Sequence, residues 1–380
     1  MGLIRRAGLA AAIAAAPLGL AYRFALAYRA RAGYPHQNPP RVTPADFGLP
    51  FESISVHSGD LSLPGWFIPA RGGASGPGVA LVHGWESARD RTLPNAAFLH
   101  AAGFHCLAVD VRGHGENLAE ALPVSAGEFG LDALAAFRAL LERDEVTEGA
   151  IAGHSMGAIG AILAAAADQR VRAIVATSGP ADPYRLTRQT FHLANLPIPD
   201  LIAYPLAWLT TRVYLAPRGH TVEEISASRA ITRYRGPILL AHGDADQVVP
   251  VGHMHRLAAA ARGARTAADP PIETLVIPGG HHSWLYEEPL YRSTVARFLA
   301  TALDGPLTPD DAATVAGVTD ARRIADGEAR FAAVTETPGG FRTLAQVARP
   351  GATRATRAAR PIAEAGQGGL SGSDEPGMPE

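Results

Sequence analysis

The sequence predicts an α/β protein, a mostly parallel central sheet flanked by helices and carrying a small helical lid. Short apolar runs recur along the chain: "GVALVHG", "HCLAVDVRG", "EGAIAGHS", "RAIVATSG", "PILLAHGD" and "ETLVIPGG", each with glycine at or near its end. Their hydrophobicity is continuous rather than alternating, as it is when both faces of a parallel sheet are covered. Helical patterns lie between them, and the resulting βαβα alternation places functional groups on loops at the carboxyl ends of the strands.

In chain order, residues 1–32 read as an N-terminal membrane anchor or signal segment. Arg5 and Arg6 precede an uncharged run from Ala7 to Tyr22. As a helix that run covers about 24 Å against a hydrocarbon thickness of about 30 Å, so spanning requires Arg23 to snorkel and Phe24 to Tyr28 to join in. Ala25-Leu26-Ala27 also fits a signal-cleavage site, which makes secretion the alternative, and a soluble amphipathic helix is a third reading. Arginines flank the run on both sides, so orientation is undecided.

"YPHQNPPRVTP", within the linker expected at 33–44, is too proline-rich for a helix. The globular domain is expected over 45–303, opening with a β-hairpin in "FESISVHSGDLSLPGWFIPA" that turns at Ser58-Gly59-Asp60. "NAAFLHAAG" reads as a helix ending at Gly103, and Leu131, Leu134, Phe137 and Leu141 share one face of a helix after Glu128. Between "RAIVATSG" and "PILLAHGD" the chain is far longer than the roughly 10–12 residues a crossover needs, which implies a lid over about 181–235. Its Leu201, Ile202, Tyr204, Leu206, Trp208 and Leu209 are expected to pack in the core or line a pocket. Residues 304–380 read as a low-complexity, mostly disordered tail with a marginal helix around Ala321 to Val334.

Composition excludes several functions. At a net charge of −2 the chain has no basic field for nucleic acid. It contains no lysine, so a phosphate-binding loop ending in Gly-Lys-Ser/Thr is absent. The single cysteine, Cys106, lies in an apolar run and reads as a buried strand residue, and no intramolecular disulfide can form. His253 and His255 stand two apart at a helix start, where their side chains diverge, so no metal is expected there. No cofactor is expected either.

The chemistry gathers around "AIAGHSMGAIG". Gly153 and Gly157 flank Ser155 at two positions before and after, allowing a sharp strand-to-helix turn with the serine at its apex. A serine hydroxyl needs a histidine base, an acid to hold that base, and donors for an oxyanion. Met156 N–H at the helix N-terminus supplies one donor, and Trp85 N–H in "ALVHGWE" a second. His83 reads as a brace for that loop and His114 in "RGHG" as part of a structural turn. "LLAHGDADQVVP" offers Asp244 or Asp246 as the acid, and "LVIPGGHHSW" offers His281 or His282 as the base. Serine, acid and histidine follow three different strands in the chain order known for one large hydrolase fold.

With "VHGW", "DVRGHGEN", "GHSMGA", "HGDADQVVP" and "PGGHHS" in sequence, residues 45 to 303 resemble the α/β-hydrolase superfamily, and within it bacterial serine hydrolases of the serine-aminopeptidase-like and Bem46-like branch. The resemblance implies the α/β-hydrolase fold, Ser155 as nucleophile, Asp246 as acid, His282 as base, and Trp85 with Met156 as oxyanion residues. The chain departs from the pattern at His281, a place often held by glycine, and at Asn117, where relatives carry serine. The expected activity is hydrolysis of a carboxylic ester, or a related acyl bond, of a small hydrophobic substrate through an acyl-enzyme. Peptidase or thioesterase action on the same residues is the alternative, and a non-catalytic membrane-tethered binding protein is a rival of another class.

Overall fold

A computed structural model describes residues 2–320. The helix expected around Ala321 to Val334 and the rest of the tail lie outside the described residues. The expected hairpin is present: β1 (Glu52–Ser58) pairs antiparallel with β2 (Leu61–Ile68), and Gly59 at the turn takes a φ of 60°. The six glycine-ended runs form β3 (Gly76–Val82), β4 (His105–Val109), β5 (Val146–His154), β6 (Val171–Thr177), β7 (Ile238–Gly243) and β8 (Ile272–Ile277). One sheet results, ordered β1-β2-β4-β3-β5-β6-β7-β8. From β4 to β8 every neighbouring pair is parallel, and β2 joins β4 antiparallel.

Both faces are covered, which is why β4 and β7 are buried along their whole length. On one face lie α3 (Ala126–Leu141), α4 (Met156–Ala167), α7 (Ala227–Ala230) and α8 (Gly252–Gly263), with Phe129, Phe137, Ile159 and Leu257 in their core. On the other lie α2 (Leu93–Ala101), α9 (Pro289–Ala302) and α10 (Pro309–Val318), around Phe98, Phe104 and Leu299. Cys106 is buried in β4, and that burial pushes its thiol pKa up.

α3 starts where Ser125 and Glu128 form a reciprocal capping box. Of the face expected inward, Phe137 is buried and Leu134 and Leu141 pack against the core, while Leu131 is 50 % exposed and Phe129, Ala133, Ala136 and Leu140 complete the buried side. Glycines let α3 lie close against α4: a Cβ on Gly130 would come within 2.9 Å of Leu163 Cβ, and one on Gly160 within 2.7 Å of the Phe129 carbonyl oxygen.

The lid comprises α5 (Pro183–Leu193), α6 (Asp200–Leu215) and α7, inserted between β6 and β7. Four of the large apolar side chains of α6 expected to pack inward do not. Leu201 is 89 % exposed, and Ile202, Tyr204 and Trp208 are also exposed, while Ala203, Ala207 and Thr211 are buried. Small residues occupy the inner face because the N-terminal helix α1 (Gly2–Ala32) packs against α6.

Among the described residues no helix is long and apolar enough to cross a membrane, so the expected N-terminal span is not found. The physical reason lies in the residues that had to extend it. Phe24 and Tyr28 meet Phe191 edge-on, at ring separations of 5.5 and 6.0 Å. Ala25 is fully buried, Tyr28 Oη hydrogen-bonds Thr190 Oγ1, and Arg29 donates to the Val213 carbonyl. The second half of α1 is thus a helix docked on the lid.

The ordered fold also extends past the boundary expected at 303. α10 packs on α9 and buries Ala312 and Ala316, and the buried Arg292 guanidinium donates to the carbonyls of Tyr286, Glu287, Ala316 and Gly317. α10 escaped the sequence reading because its buried face is made of alanine, which composition does not separate from low complexity.

Candidate active site

Ser155 stands between β5 and α4 with φ 54° and ψ −117°, a strained conformation for a non-glycine residue. Its flanking glycines are required by space. A Cβ on Gly153 would come within 2.1 Å of the Gly157 carbonyl oxygen, and one on Gly157 within 2.3 Å of the Val82 carbonyl oxygen. Ser155 N–H donates to the Thr177 carbonyl at the end of β6, which ties the turn to the neighbouring strand.

The loops after β7 and β8 bring two further side chains to this corner. Ser155 Oγ lies 3.1 Å from His282 Nε2, and His282 Nδ1–H donates to Asp246 Oδ2 at 2.8 Å. All of these residues are buried. Asp246 Oδ1 accepts the backbone N–H groups of Val248 and Val249, both at 2.9 Å. Burial alone would raise the Asp246 pKa, but the charge of His282 and the hydrogen bonds from His242 and His282 outweigh it and hold the carboxyl well below its ordinary range.

The structure brings together the pair that the resemblance implied, Asp246 and His282. His281 is exposed, whereas His282 reaches both Ser155 and Asp246. Asp244 accepts the Gly279 N–H at 2.7 Å and so fastens the β8 loop to the β7 loop.

Met156 is the first residue of α4, where a helix leaves its leading N–H groups without intrahelical partners. Trp85 follows β3 beside Gly84, and a Cβ on Gly84 would lie 3.2 Å from Ser155 Cβ, so this loop runs against the serine. His83 braces the loop: its Nε2 accepts the Val111 N–H and its Nδ1–H donates to the Gly84 carbonyl. Burial lowers its pKa to about 4. His114 is buried and donates to the Arg112 carbonyl, and Asn117 donates to the carbonyls of Asp110 and Val111. Both hold the turn after β4. His253 accepts the Ala181 N–H and fastens the start of the lid.

Two histidines of the site were missed in the sequence. His242, at the end of β7, shares its Nε2–H between the Val249 carbonyl at 2.6 Å and Asp246 Oδ2 at 3.2 Å. His154, directly before the serine, donates Nε2–H to the His282 carbonyl at 2.7 Å. Their signal was present as histidines at the carboxyl ends of strands, but nothing local separates such a residue from a packed one.

Chemically, the constellation joins a hydroxyl, an imidazole that can take its proton and an ionised carboxylate that orients the imidazole, beside a helix N-terminus. Residues 79–292 match the Alpha/beta hydrolase family. An uncharacterised protein of Mycobacterium tuberculosis is 30 % identical over 227 residues, spanning 59 % of this chain and 69 % of that protein. A structure of the Pyrococcus furiosus esterase Pf2001 aligns with a TM-score of 0.56 at 21 % identity, covering 71 % of this chain and 97 % of that one. Est1E from Butyrivibrio proteoclasticus, solved bound to ferulic acid, aligns with a TM-score of 0.51 at 19 % identity, covering 66 % and 98 %. At such identities the two structures establish the fold. The chain belongs to the alpha/beta hydrolase family.

Proposed function

We propose that this hydrolase uses Ser155 as a nucleophile to cleave a carboxylic ester, or a related acyl bond, of a small hydrophobic substrate. The observation that carries the reading is the unbroken chain from Ser155 Oγ through His282 to Asp246, at 3.1 and 2.8 Å. In the first half-reaction His282 Nε2 takes the hydroxyl proton while Oγ attacks the substrate carbonyl carbon. We assign the N–H groups of Trp85 and Met156 to the oxyanion that forms. Collapse expels the alcohol, which receives its proton from His282. Water then attacks the acyl-enzyme with the same histidine as base, and the acid leaves.

An ester is the first substrate class to test because esterases stand among the structural neighbours, which also include an acylaminoacyl peptidase. Thioesterase or peptidase action on the same groups is the second outcome that a substrate screen distinguishes.

The test is labelling by a fluorophosphonate probe together with hydrolysis of p-nitrophenyl esters of increasing chain length. Wild type is expected to label and to turn over. Ser155→Ala is expected to lose labelling and about 10⁴-fold or more in kcat, as removal of a triad member does elsewhere. His282→Gln should fall comparably, and His281→Gln should stay within about threefold of wild type because its side chain lies outside the path from Ser155 to Asp246. Turnover unchanged in Ser155→Ala would refute the reading.

A further inference from the structure

We infer that His154 is a positioning residue, a neutral hydrogen-bond donor that locks the backbone of His282 to the turn bearing Ser155. The inference rests on the serine-hydrolase reading above and deepens it. Ser155 and His282 come from loops after different strands, β5 and β8, which are not neighbours in the sheet. Their 3.1 Å approach therefore depends on whatever fastens one loop to the other.

His154 makes that connection. It ends β5, adjoins Ser155 in the chain, and its Nε2 lies 2.7 Å from the His282 carbonyl oxygen. A carbonyl oxygen can only accept, so the proton resides on His154 Nε2 and the neutral ring keeps Nδ1 as an acceptor. Nδ1 faces the turn after β3, where a Cβ on Gly84 would approach it to 3.3 Å. His154 thus sits among the β3 turn, the nucleophile turn and the histidine loop at once.

The neutral state also suits the reaction. The two imidazole rings lie 4.9 Å apart, and His282 must become a cation as it takes the serine proton. A second cation at that distance would oppose the step, whereas a neutral donor fixes the loop without doing so. Burial and the proximity of His282 lower the His154 pKa to about 3, in keeping with that role. His154 also lines a cavity shared with Gly84, Asn95, Thr177 and Tyr291.

Three substitutions in the full chain test the assignment. His154→Gln keeps an N–H donor at the reach of Nε2 and is expected to stay within about threefold of wild type in kcat for a soluble short-chain ester. His154→Leu removes the donor, and His154→Asn places it one bond too short. Both are expected to lose about 30-fold or more in kcat with KM changed less than about threefold, since misplacement on the order of 1 Å costs about that much. The far-downfield proton resonance of the His282–Asp246 hydrogen bond should be retained in His154→Gln and shifted or broadened in His154→Leu.

Equal activity of the Gln and Leu variants would overturn the assignment, as would equal loss in both with an unshifted resonance. Should His154→Leu fail to fold, the Asn and Gln pair decides by the same criteria. Fluorophosphonate labelling of wild type at Ser155 separates the two levels. With labelling intact and His154→Leu unimpaired, only the role of His154 falls; without labelling, the serine-hydrolase reading falls first.

Discussion

The conformation of Ser155 sets the terms at the scale of the residue. A positive φ on a residue with a Cβ stores roughly 1–3 kcal/mol, and it persists because the surroundings over-determine it. Here Thr177 holds the backbone N–H, and the missing Cβ atoms of Gly153 and Gly157 admit carbonyl oxygens where side chains would stand. Gly157→Ala is expected to destabilise the protein by about 1–3 kcal/mol or more through overpacking against Val82. It should also reduce turnover at temperatures where the variant remains folded, which a denaturation curve measured beside an activity assay would show. The pattern Gly-x-Ser-x-Gly was legible in sequence because it is local. Which of two adjacent histidines turns inward was not, since both satisfy every local rule.

Elements show where burial overrules pattern. α10 had the composition of a tail, yet Arg292 donates to carbonyls at both ends of the α9–α10 unit and Ala312 and Ala316 fill its seam. A chain ending at Leu303 is expected to unfold at lower denaturant concentration than one ending at residue 320. Arg292→Met should cost several kcal/mol, roughly 1–3 for each buried carbonyl stripped of its donor. An equal midpoint for the two chain lengths would show that α10 contributes nothing.

On the lid, α1 acts as a strap over α5 and α6. Phe191→Ala removes the ring on which Phe24 and Tyr28 rest. Its expected cost is about 3–5 kcal/mol of local stability, visible as faster proteolysis between α5 and α6. What the sequence of α1 leaves open is which surface covers its aromatic residues, since such a residue reads alike against lipid or protein.

For the whole molecule, the histidines couple stability to pH. Burial, opposed in part by a backbone hydrogen bond in each case, holds His83 at about 4 and His114 and His154 at about 3. An unfolded chain takes up these protons once pH drops below about 6.5, whereas the folded chain resists until pH nears 4 and then 3. Their contribution to stability is complete above about pH 6.5, declines as pH falls and is spent below the folded values. Each tenfold difference in proton affinity between the folded and unfolded chain corresponds to about 1.4 kcal/mol. Asp246 has the same sign in a lower window: its lowered pKa favours the fold above the ordinary carboxyl range, and that contribution is lost only on stronger acidification. The urea midpoint is therefore expected to fall between pH 7 and 4, and more shallowly in His114→Phe. A pH-independent midpoint over that window would contradict the assignment of neutral buried imidazoles.

By itself the sequence determined the sheet, its direction and the corners where chemistry resides. Continuous apolar runs, terminal glycines and chain order are short-range properties that a strand or turn expresses without help from distant residues. Only the tertiary structure shows His282 within reach of Ser155 and Asp246 within reach of His282, as the resemblance implied, places His154 and His242 beside them, and rests α1 on the lid. Each of those outcomes depends on which surfaces residues far apart in the chain present to one another, and burial acts on surfaces, not on residue types.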